Sequence, residues 1–322
     1  MNALTSFLAS PIARFMVHKR ARGLTYRTEE QILHALDRLA SDQKDDGVLD
    51  EPLVRRFLAG TTRPSRSHRL TVVRQLARFL TAEGSPVFVP PSRFLAIRRH
   101  QPVIRVLTRE EVPRFLCASE GIEDSPGSPH RALIHGTALR VLLLTGLRRG
   151  EILRLTDMDV DLGGGVLTIH GSKFGKSRFV PLADDLTDAL RRYRAALWKR
   201  VPKRQGTDAF FPGRDGHRPF HPNNLYYSFR ETIARAGIKH GGRGEGPRIH
   251  DLRHTFAVLR LIEWYAEGAD LSAKLPLLAT YLGHVALVST QVYLHMTQDL
   301  VGEVARRHEV RFGDIITAEV TR

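Results

Sequence analysis

Apolar residues along this 322-residue chain recur mostly at helical period, with one short passage of strand-like alternation in the middle. Phe7, Leu8, Ile12, Phe15 and Met16 share a helical spacing. Thr28-Glu29-Glu30-Gln31 has the form of a capping box, and Ile32, Leu36 and Leu39 carry the period onward. Leu53, Val54, Phe57 and Leu58 predict a short helix stopped by Gly60. Val73, Leu76, Ala77 and Leu80 predict another, stopped by Gly84 and Pro86. Residues 1–88 therefore read as a small helical bundle.

The pattern then lapses. Over residues 89–107, Pro90, Pro91, Pro102 and Arg98-Arg99-His100 predict an extended, basic linker. A second capping box, Thr108-Arg109-Glu110-Glu111, opens a second domain over residues 108–322. An apolar helix is expected over 132–144, and another from the Arg148 turn through Leu155. Gly163-Gly164-Gly165 leads into a β-branched strand over 166–169. A turn over 171–176 returns the chain as a strand from Arg178 to Leu182, which Pro181 marks as an edge or an end. Helices are expected around 184–200, 222–236, 249–264, 275–282, 288–295 and 299–310, and the Gly-rich loop 239–247 reads as mobile. The expected fold is mainly α with a small antiparallel β-sheet: an N-terminal bundle, then a mixed α+β domain.

Charge changes the picture. The formal net charge is +15, and the excess is shared between the two domains rather than gathered in a tail. Such a bias favours a polyanionic partner, because each Lys or Arg set on a phosphate releases condensed counterions. The single cysteine, Cys117, excludes an internal disulfide framework and suits a reducing compartment. No apolar run approaches the roughly 18–20 residues of a membrane helix, and the first residues lack a signal-peptide layout. The expectation is a cytoplasmic, nucleic-acid-facing protein.

Several residues carry candidate chemistry. Arg148 follows Gly146-Leu147 and precedes a helix, where an arginine fork adds to the helix terminus as an anion site. Lys173 sits at the tip of the predicted hairpin. Gly175-Lys176-Ser177 looks like the end of a nucleotide-binding P-loop, but only three residues separate Gly171 from Gly175, and a strand follows where that motif needs a helix. His250 and Arg253, three apart, share one helix face, with Ile249, Leu252, Phe256 and Leu259 as the opposing apolar stripe. His250 and His254 have a zinc-like spacing, yet the sequence offers neither the expected Glu nor a cysteine cluster, so no metal is predicted. Taken alone, Tyr293 reads more readily as a core aromatic, and His284 as a helix-ending residue after Gly283.

Taken in order, these residues carry a resemblance. Thr145-Gly146-Leu147-Arg148-Arg149-Gly150-Glu151 resembles the first arginine box of the phage integrase (tyrosine recombinase) family. His250-Asp251-Leu252-Arg253-His254-Thr255-Phe256-Ala257 resembles its second, and Leu282-Gly283-His284 with Tyr293 resembles its nucleophile region. Lys173, before Val180-Pro181-Leu182, matches the position of the family's catalytic lysine. The interval from Arg253 to His284 is longer than usual, with the extra length between Glu263 and Leu275, a stretch similar to one in recombinases of transposons and other mobile elements.

The resemblance implies a site-specific DNA recombinase of integrase or transposase type. In it Arg148, Arg253, His284 and His250 would surround a phosphodiester, and Tyr293 would form a 3′-phosphotyrosyl bond. His250 would accept the phenolic proton, Lys173 would protonate the leaving 5′-hydroxyl, and Glu151 would brace the first box. Arg63, Arg66, Arg69 and Arg74 of the bundle, with Arg98 and Arg99 of the linker, are candidate DNA contacts. The implied partners are double-stranded DNA at specific sites, further copies of the chain in a tetramer, and accessory recombinases; no metal or other cofactor is implied. A type IB topoisomerase and a non-catalytic DNA-binding regulator are the alternatives.

Overall fold

The computed structural model describes residues 3–41, 47–94, 104–171, 177–240, 246–283 and 293, and the chain divides into two units, Met1–Gln101 and Pro102–Arg322. The first unit holds α1 (Ala9–Ala21), α2 (Arg27–Ser41), α3 (Glu51–Leu58) and α4 (Arg63–Ala82). Each contributes one apolar face to a shared core that includes Ile12, Phe15, Leu33, Leu36, Val54, Phe57, Val73 and Leu76. Asp50 caps α3 by accepting from the Leu53 N–H at 2.8 Å. Buried Asp37 ties down the residues before α1, accepting from Thr5 N at 2.9 Å and Ser6 Oγ at 2.6 Å.

Two expectations shift here. α2 already begins at Arg27, so Thr28 lies inside the helix rather than at its cap. α4 starts at Arg63, well before its apolar run, because Pro64 in its first turn has a backbone already suited to helix entry.

In the second unit the box at Thr108 forms as read: Thr108 N donates to Glu111 Oε2 (2.9 Å) and Glu111 N to Thr108 Oγ1 (3.2 Å). It introduces α5 (Glu111–Glu120), which the apolar pattern alone did not reveal. α6 (Arg131–Thr145) is buried on nearly every side, packed by α5, by α8 (Asp184–Arg200), by α9 (Pro222–Arg235) and by α10 (Asp251–Ala266). Val160–Asp161 (β1), Val166–Ile169 (β2) and Arg178–Pro181 (β3) make an antiparallel sheet in that order, with Leu167 opposite both Val160 and Val180. Pro181 closes the outer strand, where its missing N–H costs no ladder bond. The strand β1 is an addition to the sequence reading; two residues carry too little alternation to be seen.

α11 (Leu271–Leu282) starts earlier than expected, capped by Asp270, which accepts from Ser272 N at 2.8 Å. α10 and α11 enclose a separate apolar cluster of Ala257, Val258, Leu261, Leu275, Leu278 and Leu282, and Tyr293 belongs to it. Within the stretch 89–107, Val89 and Phe94 pack on the first core, while Leu107 belongs to the main core of the second unit. The helices expected at 288–295 and 299–310 and most of the glycine loop 239–247 lie outside the described residues, apart from their few described positions. No described helix is long and apolar enough to cross a membrane.

Candidate active site

The site is assembled where α6 and α11 end. Both helices close on a left-handed glycine, Gly146 (φ +63°) and Gly283 (φ +69°). A side chain at either would be strained. It would also meet Phe256 Cδ1 at 2.7 Å in the first case and Arg178 Nη1 at 2.9 Å in the second.

Three consecutive carbonyls at the end of α11 each receive a different arginine. Arg178 Nε donates to Tyr281 O (2.8 Å), Arg253 Nη2 to Leu282 O (2.7 Å) and Arg148 Nη2 to Gly283 O (3.0 Å). Arg253 Nη1 also donates to Gly146 O at 2.7 Å, so this guanidinium bridges both helix ends. Unsatisfied carbonyls at a helix C-terminus carry partial negative charge, which is why cations settle there.

Glu151 is the counter-charge. Its carboxylate accepts from Arg148 N (2.9 Å) and Nη1 (2.8 Å), and from Arg178 Nη1 and Nη2 (both 2.9 Å). Burial alone would raise its pKa; the Arg178 and Arg148 hydrogen bonds overcome that and hold it at about 2. Against this carboxylate, Arg148, Arg178 and Arg253 leave the cluster net positive. Arg148 keeps a third of its side chain exposed, while Glu151 is sealed beneath it. The N–H of Arg148 is taken by Glu151 rather than left open for an anion, and α7 (Arg149–Ile152) is a single turn, so the guanidinium and not a helix terminus is the anion-binding element.

The second box departs from the expected stripe. Arg253 is itself among the most buried side chains, at 2% exposure, and α10 buries Asp251, Leu252, Thr255, Val258 and Leu261 around it. Desolvation and the charge of Arg148 lower the Arg253 pKa to about 10, which leaves it charged at neutral pH. Asp251 receives Arg248 through N (2.9 Å), Nε (3.2 Å) and Nη2 (2.7 Å). Thr255 links the start of the domain to α10, accepting from Leu107 N at 3.0 Å and donating to Asp251 O at 2.8 Å.

Tyr293 is buried, at 2% exposure, with its hydroxyl 3.0 Å from His254 Nδ1. Burial raises its pKa, and the Arg253 guanidinium opposes that through its charge and a hydrogen bond, helped by the charge of Arg148. His250 is the N-cap of α10 and meets the His254 ring edge-on, with centroids 4.9 Å apart. Although His250 faces solvent, partial desolvation and then the Arg253 charge lower its pKa. Desolvation followed by the His250 neighbour brings His254 down to about 4.

Arg148, Glu151, His250, Arg253 and Tyr293 are thus brought to one place. Lys173 and His284 lie outside the described residues, as do Arg98 and Arg99. Among the bundle arginines, Arg63 begins α4. Arg66 Nη2 donates to Thr61 O (3.0 Å), Arg69 Nη1 to Phe57 O (3.1 Å), and Arg74 to the carbonyls of Pro90 and Pro91 (2.8 Å each). Sequence reasoning missed Arg178, Asp251 and His254. Arg178 carried no signal beyond its place at the start of a strand. His254 was visible only through its spacing from His250. Among the described residues no cluster of three or more His, Cys, Asp or Glu could hold a metal ion.

Comparison with known proteins gives a consistent picture. The phage integrase family pattern matches residues 105–299. y4rB, an integrase/recombinase-type protein of Sinorhizobium fredii, is 34% identical over 80% of this chain and 84% of its own. The tyrosine recombinase XerD of Rhizobium meliloti is 29% identical over 92% of this chain and 85% of its own. Among solved structures, the XerH site-specific recombinase bound to a palindromic difH substrate, in a post-cleavage complex, shares the fold with a TM-score of 0.62. It is 21% identical, and the match covers 86% of this chain and 78% of that one.

Proposed function

This chain belongs to the phage integrase family, and on that premise we propose how it works: it is a site-specific DNA recombinase in which Tyr293 is the nucleophile. It cleaves and rejoins DNA by transesterification. The observation that carries this reading is the buried Arg253 guanidinium, bonded to both helix ends and close enough to the Tyr293 phenol to oppose the rise that burial imposes on its pKa.

A pentavalent phosphorane carries two negative charges, so the transition state gains most from donors fixed in advance. Arg253 is held by Gly146 O and Leu282 O, and Arg148 by Gly283 O and Glu151. Neither has to reorganise when the phosphate arrives. Arg148, the more exposed of the two, would bind a non-bridging oxygen first. Arg178 holds Glu151 from below, so its role is positioning. His250, at the solvent-facing start of α10, and His284 would complete the phosphate cradle. Lys173 would protonate the departing O5′, a task that general acids perform for about 100–10,000-fold in rate. The phosphotyrosyl ester conserves the energy of the broken backbone bond, so rejoining needs no nucleotide.

The working partner is double-stranded DNA, met by a catalytic domain and by a helical domain over residues 1–88 with its linker 89–107. Of the bundle arginines, Arg66 and Arg69 are the candidate DNA-backbone contacts, each giving one donor to a carbonyl of the bundle, whereas Arg74 gives two to Pro90 and Pro91. Exchange between two duplexes requires four active sites, hence a tetramer on DNA, acting in the cytoplasm where that DNA lies. The test is a nicked suicide site resolved on a denaturing gel. Wild-type protein should form a covalent adduct and Tyr293→Phe none, with DNA binding retained; an adduct that persists in Tyr293→Phe refutes the assignment.

A further inference from the structure

The reading of Tyr293 as nucleophile leaves open which group takes its proton. Sequence reasoning gave that task to His250. We infer that His254, oriented by Asp251, is the proton acceptor for Tyr293 in strand cleavage and returns the proton on rejoining. The inference rests on the nucleophile reading and adds a residue to it.

The geometry is direct. His254 Nδ1 lies 3.0 Å from the Tyr293 hydroxyl, and the ring centroids are 5.4 Å apart. On the other side of the imidazole, Nε2 faces Asp251 Oδ1 at 3.9 Å. This role requires the neutral tautomer with its proton on Nε2, the side on which the Asp251 charge lies beyond direct hydrogen-bond reach, so that the Nδ1 lone pair accepts from the phenol. Asp251 cannot swing away, because Arg248 grips both of its oxygens and the group is 1% exposed. A tyrosine, a histidine and an aspartate thus stand in the relation of nucleophile, base and orienting group.

The electrostatics agree. The charged groups around His254 are His250, Asp251 and Arg253 on its own helix and Arg248 in the turn before it, with Tyr293 across from it. Desolvation and the basic neighbours outweigh Asp251, and the ring is neutral at physiological pH with a pKa of about 4. Burial raises the phenol's pKa while that of His254 is held down, so proton transfer in the resting site is uphill and the phenol stays protonated until phosphate arrives. As the Oη–P bond forms, the O–H bond breaks and the proton passes to Nδ1, while the P–O5′ bond breaks and O5′ takes its proton from the separate acid. The imidazolium so formed faces Asp251. Rejoining runs the same steps backwards: the 5′-hydroxyl attacks and gives its proton back to the separate acid, the Oη–P bond breaks, and Nδ1 returns the proton to Oη.

The experiment is single-turnover adduct formation on a nicked suicide site. Wild type would be compared with His254→Ala and His254→Asn, and DNA binding would be followed by fluorescence anisotropy. Asn presents an amide oxygen near the Nδ1 position, so it can hold the phenol by a hydrogen bond but cannot carry its proton. Both variants should bind DNA and form adduct at least about 100-fold more slowly. Wild type should show an acid limb in its rate–pH profile with a midpoint at or above about 4, absent in both variants. Wild-type speed in His254→Asn would overturn the inference in favour of simple positioning, and wild-type speed in His254→Ala would remove any role. An adduct surviving in Tyr293→Phe would instead remove the nucleophile reading, and the inference with it.

Discussion

Replacing Glu151 by Gln is the most informative single change in the arginine cluster. Gln keeps the size of the side chain but removes the charge shared by Arg148 and Arg178. The carboxyl sits at about 2 in the folded protein against an ordinary 4.5. A depressed folded pKa contributes stability that is complete above the ordinary value and is lost as pH falls toward the folded one. That gap, at about 1.4 kcal/mol per pH unit, amounts to roughly 3 kcal/mol at pH 7. At pH 3 the unfolded chain is already protonated there, and only about 1 kcal/mol remains. Both tryptophans, Trp198 and Trp264, lie in the second unit, so their fluorescence in urea follows its unfolding alone. Glu151→Gln should therefore be less stable than wild type by roughly 3 kcal/mol at pH 7, and the deficit should shrink by about 2 kcal/mol at pH 3. An equal deficit at both pH values would refute the claim that the charge, rather than the shape, of Glu151 holds the cluster together.

Other outcomes follow from the same geometry. Arg253→Lys cannot bridge Gly146 O and Leu282 O while facing a phosphate, so adduct formation should fall by about 100–1,000-fold with DNA affinity little changed; a fall below tenfold counts against a fixed guanidinium. Gly283→Ala must accept a positive φ and push against Arg178, and should cost at least about 1 kcal/mol in urea and slow cleavage, whereas wild-type stability would show that the turn is not strained. Asp50→Ala removes the cap of α3, and should lower the stability of the first unit by about 1 kcal/mol by circular dichroism while leaving the unfolding of the second, followed by tryptophan, in place.

The sequence made the helices legible where an apolar face repeats over several turns, as in α2, α6 and α8. It also made visible the two turns whose glycines precede an arginine or end a helix. What stayed hidden has a common physical cause. β1 is too short for alternation to register. α5 mixes Arg114, Cys117 and Ser119 into its turns, which blurs its stripe. Arg178 looks like any polar residue at the mouth of a hairpin, and its importance arises from a carbonyl 103 positions away. Arg253 was recognised as a site residue but was expected on an open helix face. Its burial is tolerable only because carbonyls of two helices meet both ends of its guanidinium. His254 shows the limit most sharply, because two histidines one turn apart look interchangeable until the position of Tyr293 distinguishes them.

The terminus of α11 imposes a counting rule on evolution of this chain. Positions 281, 282 and 283 grip their arginines through backbone oxygens, so no choice of side chain there can supply or abolish the grip directly. What matters is how many residues lie between Asp270 and Gly283. Each residue added or removed would swing the terminal oxygens by about 100° around the axis and scatter all three partners at once. From Asp270 onward, the helix works as a ruler.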